Sequence, residues 1–255
     1  MGELIGEILP GLSPGLALLA VLAVFGAAFL RGFTGFGFAL AAVPSLSLLL
    51  DPSLVVPCSL VLGLFAGIQV LPKLWSLVDW RSVWLLLVGS LPGIPVGVWL
   101  LSAVPADIMR IGIGCVLIGA VLLLWRMPRG LQLPVTPFAL GAGLLSGLLN
   151  GSTAMGGPPV VLYFLGASES VVIGRASLVM YFFFASLGTV LYDVGAGLID
   201  RRVLMLSLLF FPALYVGNWL GDRSFDASSA ETYRRIALGA LLGLAVLAVI
   251  RAVAL

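Results

Sequence analysis

Two short glycine-rich segments carry the residues best suited to binding a charged solute. The first reads RGFTGFGFALAAVP, from Arg31 to Pro44, and the second reads NGSTAMGGPP, from Asn150 to Pro159. Both interrupt sequence that is otherwise apolar enough for a membrane interior. A bilayer core tolerates irregular backbone only where protein or a water-filled cavity covers it. Matching interruptions in two halves of a chain indicate the binding site of a transporter.

The residue types in these two breaks favour an anion as the solute. An arginine such as Arg31 costs about 2.5–3.5 kcal/mol at the bilayer centre, so it is usually functional there. A helix is predicted to start after each break, near Phe36 and near Pro158, and a helix start offers free N–H donors and partial positive charge. Two such starts at the midplane would form an anion site. The candidate substrate-binding residues are Arg31, Thr34, Gly35, Phe36, Gly37, Asn150, Ser152, Thr153, Gly156 and Gly157.

Two further polar residues lie inside apolar stretches and complete the candidate site. Arg175 either contacts the substrate or forms an ion pair, with Glu169 as a candidate partner. Gln69 either hydrogen-bonds a neighbouring helix or contacts the substrate. For Arg31 the alternative is that its helix crosses fully and the side chain reaches the membrane interface. Glycines let membrane helices pack closely, and packing alone is expected for Gly63, Gly67, Gly89, Gly93, Gly97, Gly143 and Gly147.

The composition places these segments in a membrane protein. Of 255 residues, 61% are hydrophobic and 9% are charged, with a mean hydropathy of +1.21, whereas soluble domains carry about 25% charged residues. A net charge of +2 with no basic run argues against nucleic acid as a partner. Because the chain has no histidine, we expect no His-ligated metal and no His general base, and we predict no cofactor. Cys58 and Cys115 are expected to be small buried hydrophobes.

Sparse charges divide the chain into apolar segments that we predict to be helices. In the first half the segments are 14–30, 32–50, 52–72, 82–106 and 111–125. The helix of the last segment is predicted to start near Pro105. In the second half, 39 uncharged residues from 130 to 168 exceed the roughly 20 that span a bilayer, so this stretch must fold back at its break. The segments flanking that break are about 13 and 11 residues long. The remaining segments are 176–192, 203–221 and 236–250, the last preceded by capping-box spacing at Ser228 and Glu231.

The second half repeats the first. Residues 79–81 (DWR) align with 200–202 (DRR), and residues 96–100 (VGVWL) align with 216–220 (VGNWL). In the two breaks the aligned pairs are Arg31 and Asn150, Gly32 and Gly151, Thr34 and Thr153, and Gly37 and Gly156. Elsewhere in the repeat, residues 59–60 (SL) align with residues 177–178 (SL).

This repeat predicts an architecture. We expect an all-α polytopic membrane protein in which a first repeat, 1–129, and a second repeat, 130–255, form one integral membrane domain. Each repeat has three full spans, and an odd number makes the two copies inverted. The whole would hold eight to ten transmembrane or half-membrane helices, with re-entrant segments at the two breaks.

The distribution of Lys and Arg predicts orientation. One side collects eight basic residues and the other collects four, with Arg31 left out, so the first side should be cytoplasmic and both termini should lie outside. Glu3 and Glu7 stand where a signal peptide carries basic residues, so no cleaved signal is expected. The larger group is Lys73, Arg81, Arg126, Arg129, Arg175, Arg223, Arg234 and Arg235, and the smaller is Arg110, Arg201, Arg202 and Arg251.

The chain resembles the TauE/SafE-type sulfite exporter family, also called TSUP transporters, over nearly its whole length. GLLNGSTAMGGPPVVLYFL, from Gly147 to Leu165, is the most similar stretch, and GRASL, from Gly174 to Leu178, supports it. The first break departs from the pattern, because residues 35–38 (GFGF) stand where many members carry three glycines. The resemblance implies a secondary transporter in the cell (inner) membrane that moves sulfite, sulfonates, sulfoacetate or thiosulfate, most often outward. The residues themselves argue only for a small oxyanion.

Three other functions stay open at this stage. An anion channel would differ from a carrier in flux saturation and counterflow. A membrane subunit without transport of its own is disfavoured because long soluble loops are absent from the sequence. An intramembrane enzyme would rest on residues 11–15 (GLSPG), which match G-x-S-x-G without the strand–turn–helix context or a histidine. The sequence has no GK[ST] loop, so we expect no ATP hydrolysis by this chain. Its carboxylates fall near the ends of the predicted spans, which argues against a carboxylate proton relay. The expected partners are the anion and the lipid bilayer, and a homodimer is left open.

Overall fold

The computed structural model describes residues 14–125, 135–167 and 170–226, and within these ranges the regular structure is helical throughout. A 3-10 turn, Trp75–Leu77, continues the third helix. In chain order the helices are α1 (Pro14–Thr34), α2 (Phe38–Leu46), α3 (Pro52–Leu74), α4 (Trp80–Ala103), α5 (Ala106–Trp125), α6 (Val135–Thr153), α7 (Gly157–Ala167), α8 (Val171–Gly195) and α9 (Arg201–Asp226).

Polar residues between the apolar segments start several helices. Asp51 accepts a hydrogen bond from the Ser53 amide at the start of α3, and Asp79 accepts one from the Ser82 amide at the start of α4. Ser170 does the same at the start of α8. Such caps satisfy amides that have no partner within the helix. The sparse polar residues of the sequence therefore set the helix boundaries.

Within the described ranges, five helices are long and apolar enough to cross a membrane, and the protein is a multi-pass membrane protein. They cover Gly15–Thr34, Pro52–Leu77, Trp80–Ala103, Val172–Gly195 and Arg201–Phe225. Each matches a segment predicted from the spacing of charges. Lipid-facing positions carry large apolar side chains, such as Leu208, which is 73% exposed.

Both glycine-rich segments are breaks between helices, as predicted. α1 ends at Thr34 and α2 begins at Phe38, while α6 ends at Thr153 and α7 begins at Gly157. The second helix of each pair is short, with nine residues in α2 and 11 in α7, which is about 14–17 Å at 1.5 Å per residue and less than a bilayer core.

The predicted length of the segment before the second break was wrong. α6 has 19 residues rather than about 13. It continues through the start of the break to Thr153. The Ser152 and Thr153 hydroxyls there donate to the carbonyls of Leu148 and Leu149, four residues earlier, as is common for these residue types inside a helix.

Several predictions fall outside the described residues. They are the polar connector 126–129 with the boundary between the halves, the capping box at Ser228 and Glu231, the last segment 236–250, and the basic residues Arg234, Arg235 and Arg251. The same holds for Glu3, Glu7, Ser13 and Glu169.

Glycines join α4 tightly to α6, as predicted. A Cβ atom on Gly97 would lie 2.8 Å from the Ser152 amide nitrogen, and one on Gly93 would lie 2.7 Å from the Leu148 nitrogen. The two helices run in the same direction, because successive glycines of α4 meet successive residues of α6: Gly89 meets Leu140, Gly93 meets Leu144, and Gly97 meets Leu148.

The same kind of contact joins α1 to α9. A Cβ atom on Gly217 would lie 2.6 Å from the Phe25 carbonyl, and one on Gly221 would lie 2.8 Å from the Phe33 nitrogen. These helices also run in the same direction. The first helix of each half thus packs against the fourth helix of the other half, so the pairing is reciprocal.

α3 and α8 pack against each other in the interior and run in opposite directions. Gly67 of α3 meets Phe183 of α8, while Gly63, earlier in α3, faces Ser186, later in α8. α9 lies beside α3 in the same direction, with Ser207 near Cys58 and Asp222 near Lys73. Cys58 is buried as predicted, but Cys115 is exposed, because α5 turns that face away from the core.

Candidate functional site

A buried cavity lies where the two breaks meet. Its volume is about 50 Å³, enough for three or four water-sized spheres. The first break contributes Phe36 and Gly37, and the second contributes Ala154, Met155 and Gly157. The starts of both short helices therefore face one space, as the sequence predicted. Residues of the neighbouring helices complete the lining: Arg31, Phe38, Ala39, Leu40, Ser59, Leu60, Gly63, Asn150, Phe182 and Ser186.

The cavity lies halfway along the two central helices. Gly63 is the twelfth of the 23 residues of α3, and Phe182 is the twelfth of the 25 residues of α8. Because both helices are long enough to cross a membrane, the midpoint of each lies near the middle of the bilayer.

Arg31 supplies the positive charge of the cavity. Its side chain is 5% exposed, so it does not reach the surface of the protein. Nη1 donates to Asn218 Oδ1 at 3.2 Å, and Nη2 donates to the Gly63 carbonyl at 3.3 Å. In the described part of the chain, Arg31 has no carboxylate partner. A buried cation without a counter-ion attracts an anion strongly.

The first break owes its shape to two glycines and a threonine. Gly35 and Gly37 have φ values of +84° and +94°, a region that side chains other than glycine rarely adopt. The Thr34 hydroxyl donates to the Phe36 carbonyl at 2.6 Å and lies 2.8 Å from the Leu30 carbonyl. The threonine thereby holds the bend that turns the chain into α2.

In the second break, Thr153 hydrogen-bonds the backbone as Thr34 does in the first. Gly156, however, does not have the positive φ of the aligned Gly37. Thr153 Oγ1 donates to the Leu149 carbonyl at 2.8 Å and accepts from the Met155 amide at 3.4 Å. The left-handed residue here is Ala154, with φ of +57°. Gly156 is required for space instead, since a Cβ atom on it would lie 2.6 Å from the Ser146 carbonyl.

Amide side chains connect the cavity to the surrounding helices. Asn150 lines the cavity and donates to Thr189 Oγ1 at 2.9 Å. Asn218, which holds Arg31, donates to Gln69 Oε1 at 2.8 Å. Gln69 therefore forms an interhelical hydrogen bond, which was one of its two predicted roles, and it does not line the cavity.

Arg175 lies away from the cavity and holds the end of α1. It donates to the Gly32 carbonyl and, through Nε, to the Phe33 carbonyl at 3.2 Å. Its Nη2 forms an ion pair with Asp222 at 2.8 Å, and Asp222 also pairs with Lys73 at 2.9 Å. The charge of Arg175 is thus balanced by a carboxylate in α9, whereas no described carboxylate balances the charge of Arg31.

Asp193 is buried, although the sequence placed this carboxylate near the end of a span. Asp193 lies two residues before the end of α8, yet its side chain is fully buried. Neither carboxylate oxygen has a hydrogen-bond partner among the described residues. Asp193 does not line the cavity between the breaks.

The structure brings together about half of the predicted site. Arg31, Phe36, Gly37, Asn150 and Gly157 line the cavity, whereas Thr34, Gly35, Ser152, Thr153 and Gly156 shape the breaks around it, and Gln69 and Arg175 lie further out.

Five lining residues outside the two glycine-rich segments were missed. They are Ser59, Leu60, Gly63, Phe182 and Ser186. Gly63 was expected to serve packing alone, but its carbonyl accepts from Arg31. A hydroxyl in an otherwise apolar span was the signal that could have identified Ser59.

Removing the hydroxyl from either break threonine should loosen the turn that starts the short helix. We expect Thr34→Val and Thr153→Val each to weaken anion affinity about fivefold to tenfold, since each loses a hydrogen bond of about 1 kcal/mol that fixes the break. Isothermal titration calorimetry checks this. Ser45→Ala is the matched control, because it removes a similar bond to Ala41 in α2 away from the break. An effect from only one threonine would mean that the breaks do not share one site.

Comparisons with known proteins agree with this arrangement. The family model for the sulfite exporter TauE/SafE matches residues 20–248. A relative from Cupriavidus necator, described as a probable sulfite/organosulfonate exporter TauE, is 29% identical over 245 residues, covering 90% of this chain and 92% of its own length. No solved structure matches the chain. With both breaks, the helical core and the cavity inside the matched region, this protein belongs to the sulfite exporter TauE/SafE family of membrane transporters.

Proposed function

We propose that this protein is a secondary transporter that exports small sulfur-containing oxyanions, such as sulfite or organosulfonates, from the cell across its inner membrane. The observation that carries the proposal is the cavity that both breaks line together with Arg31, a buried cation with no carboxylate partner among the described residues. A small oxyanion there would meet a guanidinium group and the starts of two helices, all of which favour negative charge. The name of the Cupriavidus necator relative supports sulfur as the central atom.

An inverted repeat would allow alternating access to this cavity. Equivalent helices of the halves run in opposite directions: α1, α3 and α9 share one direction, and α4, α6 and α8 share the other. The break before α2 would then make α1 and α2 a re-entrant pair that returns to the side where α3 begins, and likewise α6 and α7. Rocking one repeat against the other would open the cavity to each side in turn.

The direction of transport follows from charge. Moving two negative charges out of a cell across 100 mV releases about 4.6 kcal/mol, so export needs no coupling ion. Lys73 and Arg175 meet at Asp222, beside Arg223, on one end of the bundle. This basic end would be cytoplasmic, so both termini would lie outside. A homodimer is compatible with this arrangement.

Transport by purified protein in liposomes tests the proposal. We expect sulfite efflux that saturates with concentration and is accelerated by sulfite on the other side, because a carrier exchanges its substrate. Flux that rises without saturation and shows no counterflow would instead favour an anion channel. Empty liposomes provide the background, and protein that moves no sulfur oxyanion in either assay would contradict the proposal.

A further inference from the structure

The Ser59 hydroxyl belongs to a cavity-lining residue and has no hydrogen-bond partner in the described part of the chain. Ser59 lines the cavity and is 3% exposed. Its Oγ atom is buried and has no hydrogen-bond partner among the described residues. A buried hydroxyl without a hydrogen bond costs free energy, which suggests that Ser59 is kept for function rather than for stability.

Ser59 departs from the behaviour of comparable hydroxyls in this chain. A serine or threonine inside a helix commonly donates to the carbonyl four residues earlier. Several helical residues here do so: Ser45, Ser152, Thr153, Thr189 and Ser207. The Val55 carbonyl stands in the same relation to Ser59 but receives no such bond. The hydroxyl is therefore available to a group inside the cavity.

The position of Ser59 relative to Arg31 fits a shared ligand. Ser59 and Gly63 are four residues apart, so they lie on the same face of α3. The Gly63 carbonyl holds the Arg31 guanidinium at 3.3 Å. The hydroxyl thus lies about one helical turn from the positive charge, on the same wall of the cavity.

The two halves differ at this position. Ser177, the residue aligned with Ser59, accepts a hydrogen bond from the Asp79 amide at 2.9 Å. It does not line the cavity. One of the two aligned hydroxyls is therefore used for structure. The other belongs to a residue that lines the cavity and has no partner among the described residues.

We propose that Ser59 donates a hydrogen bond to an oxygen of the bound oxyanion, beside the charge of Arg31. This inference rests on the proposed function and adds a contact from α3 to those supplied by the two breaks. Oxyanion oxygens accept hydrogen bonds strongly, and the hydroxyl would gain its partner only when the anion is present.

Two substitutions of buried, unpartnered serines test the proposal. Ser59→Ala should weaken sulfite affinity about tenfold or more, since hydrogen bonds to charged groups contribute at that level. It should leave the melting temperature of the anion-free protein unchanged or raised, because the alanine removes a polar atom that lacked a partner. Ser47→Ala is the control: Ser47 Oγ is also buried without a partner, but Ser47 does not line the cavity. The Ser47→Ala variant should bind sulfite with the same affinity as the unchanged protein.

The measurements are calorimetric titration with sulfite and thermal unfolding without it, on purified protein, with Ser59→Cys as a second variant of similar size. Loss of affinity at a constant or higher melting temperature in both Ser59 variants supports the contact. Unchanged affinity in Ser59→Ala, or loss of affinity accompanied by a lower melting temperature in both variants, overturns it while the proposed function stands. If the unchanged protein binds no sulfite, the proposed function fails and this inference fails with it.

Discussion

Replacing Arg31 by alanine is expected to abolish anion binding and transport. The substitution removes the buried charge that has no counter-ion in the described part of the chain, together with the donors that face the cavity. Removing one partner of a buried, hydrogen-bonded charge pair costs about 2–5 kcal/mol, so affinity should fall by at least about 30-fold. Titration with sulfite and efflux from liposomes measure the two effects.

The same substitution should leave the protein folded. Arg31 bonds to the neutral groups Asn218 and Gly63, so its removal strands no buried carboxylate. We expect Arg31→Lys to bind with intermediate affinity, because it keeps the charge but offers fewer donors. Arg223→Ala is the matched control, since Arg223 is exposed and stacks on Trp219 at 4.1 Å. Wild-type affinity in Arg31→Ala would show that the cavity is not an anion site.

Replacing Gly97 by alanine is expected to destabilise the whole bundle. The added Cβ atom would lie 2.8 Å from the Ser152 nitrogen and 2.9 Å from the Gly151 Cα atom, so α4 and α6 would have to move apart. Overpacking of this kind costs about 1–3 kcal/mol and occasionally more. The melting temperature in detergent should fall by several degrees, and sulfite affinity should fall as well, because α6 positions Asn150 in the cavity.

The control for this substitution is a glycine on a helix with open space. A Cβ atom on Gly112 of α5 would meet nothing within 4 Å. Gly112→Ala should therefore stabilise the helix by about 0.5–1 kcal/mol and raise the melting temperature slightly. Equal changes in the two variants would contradict the close contact between α4 and α6.

The local features of the site were predictable from sequence. Glycine, proline and hydroxyl residues inside an apolar stretch mark a break wherever they occur, so both breaks and the starts of α2 and α7 were located within two residues. Arg31 stood out because charges are so rare in the apolar segments. The tight glycine contacts of α4 and α6 also follow from residue type and spacing.

The contacts between distant parts of the chain were not predictable in this way. The partner of Arg175 is Asp222, which lies 47 residues away, and nothing local distinguishes it from Glu169 as an ion-pair partner. Asn218 aligns with Val98 in the other half, so the repeat gave no reason to expect a residue there that holds Arg31. The Ser59 hydroxyl was a signal in an apolar span, but the packing was needed to show that Ser59 lines the cavity between the breaks.

Anomalous scattering from crystals soaked in selenite, a heavier relative of sulfite, tests the central claim most directly, with protein that contains ordinary methionine. We predict one strong selenium peak in the cavity between the breaks, within hydrogen-bonding distance of the Arg31 guanidinium and beside the starts of α2 and α7. If the protein transports sulfite but the selenium peak lies elsewhere and none lies in the cavity, the account is contradicted.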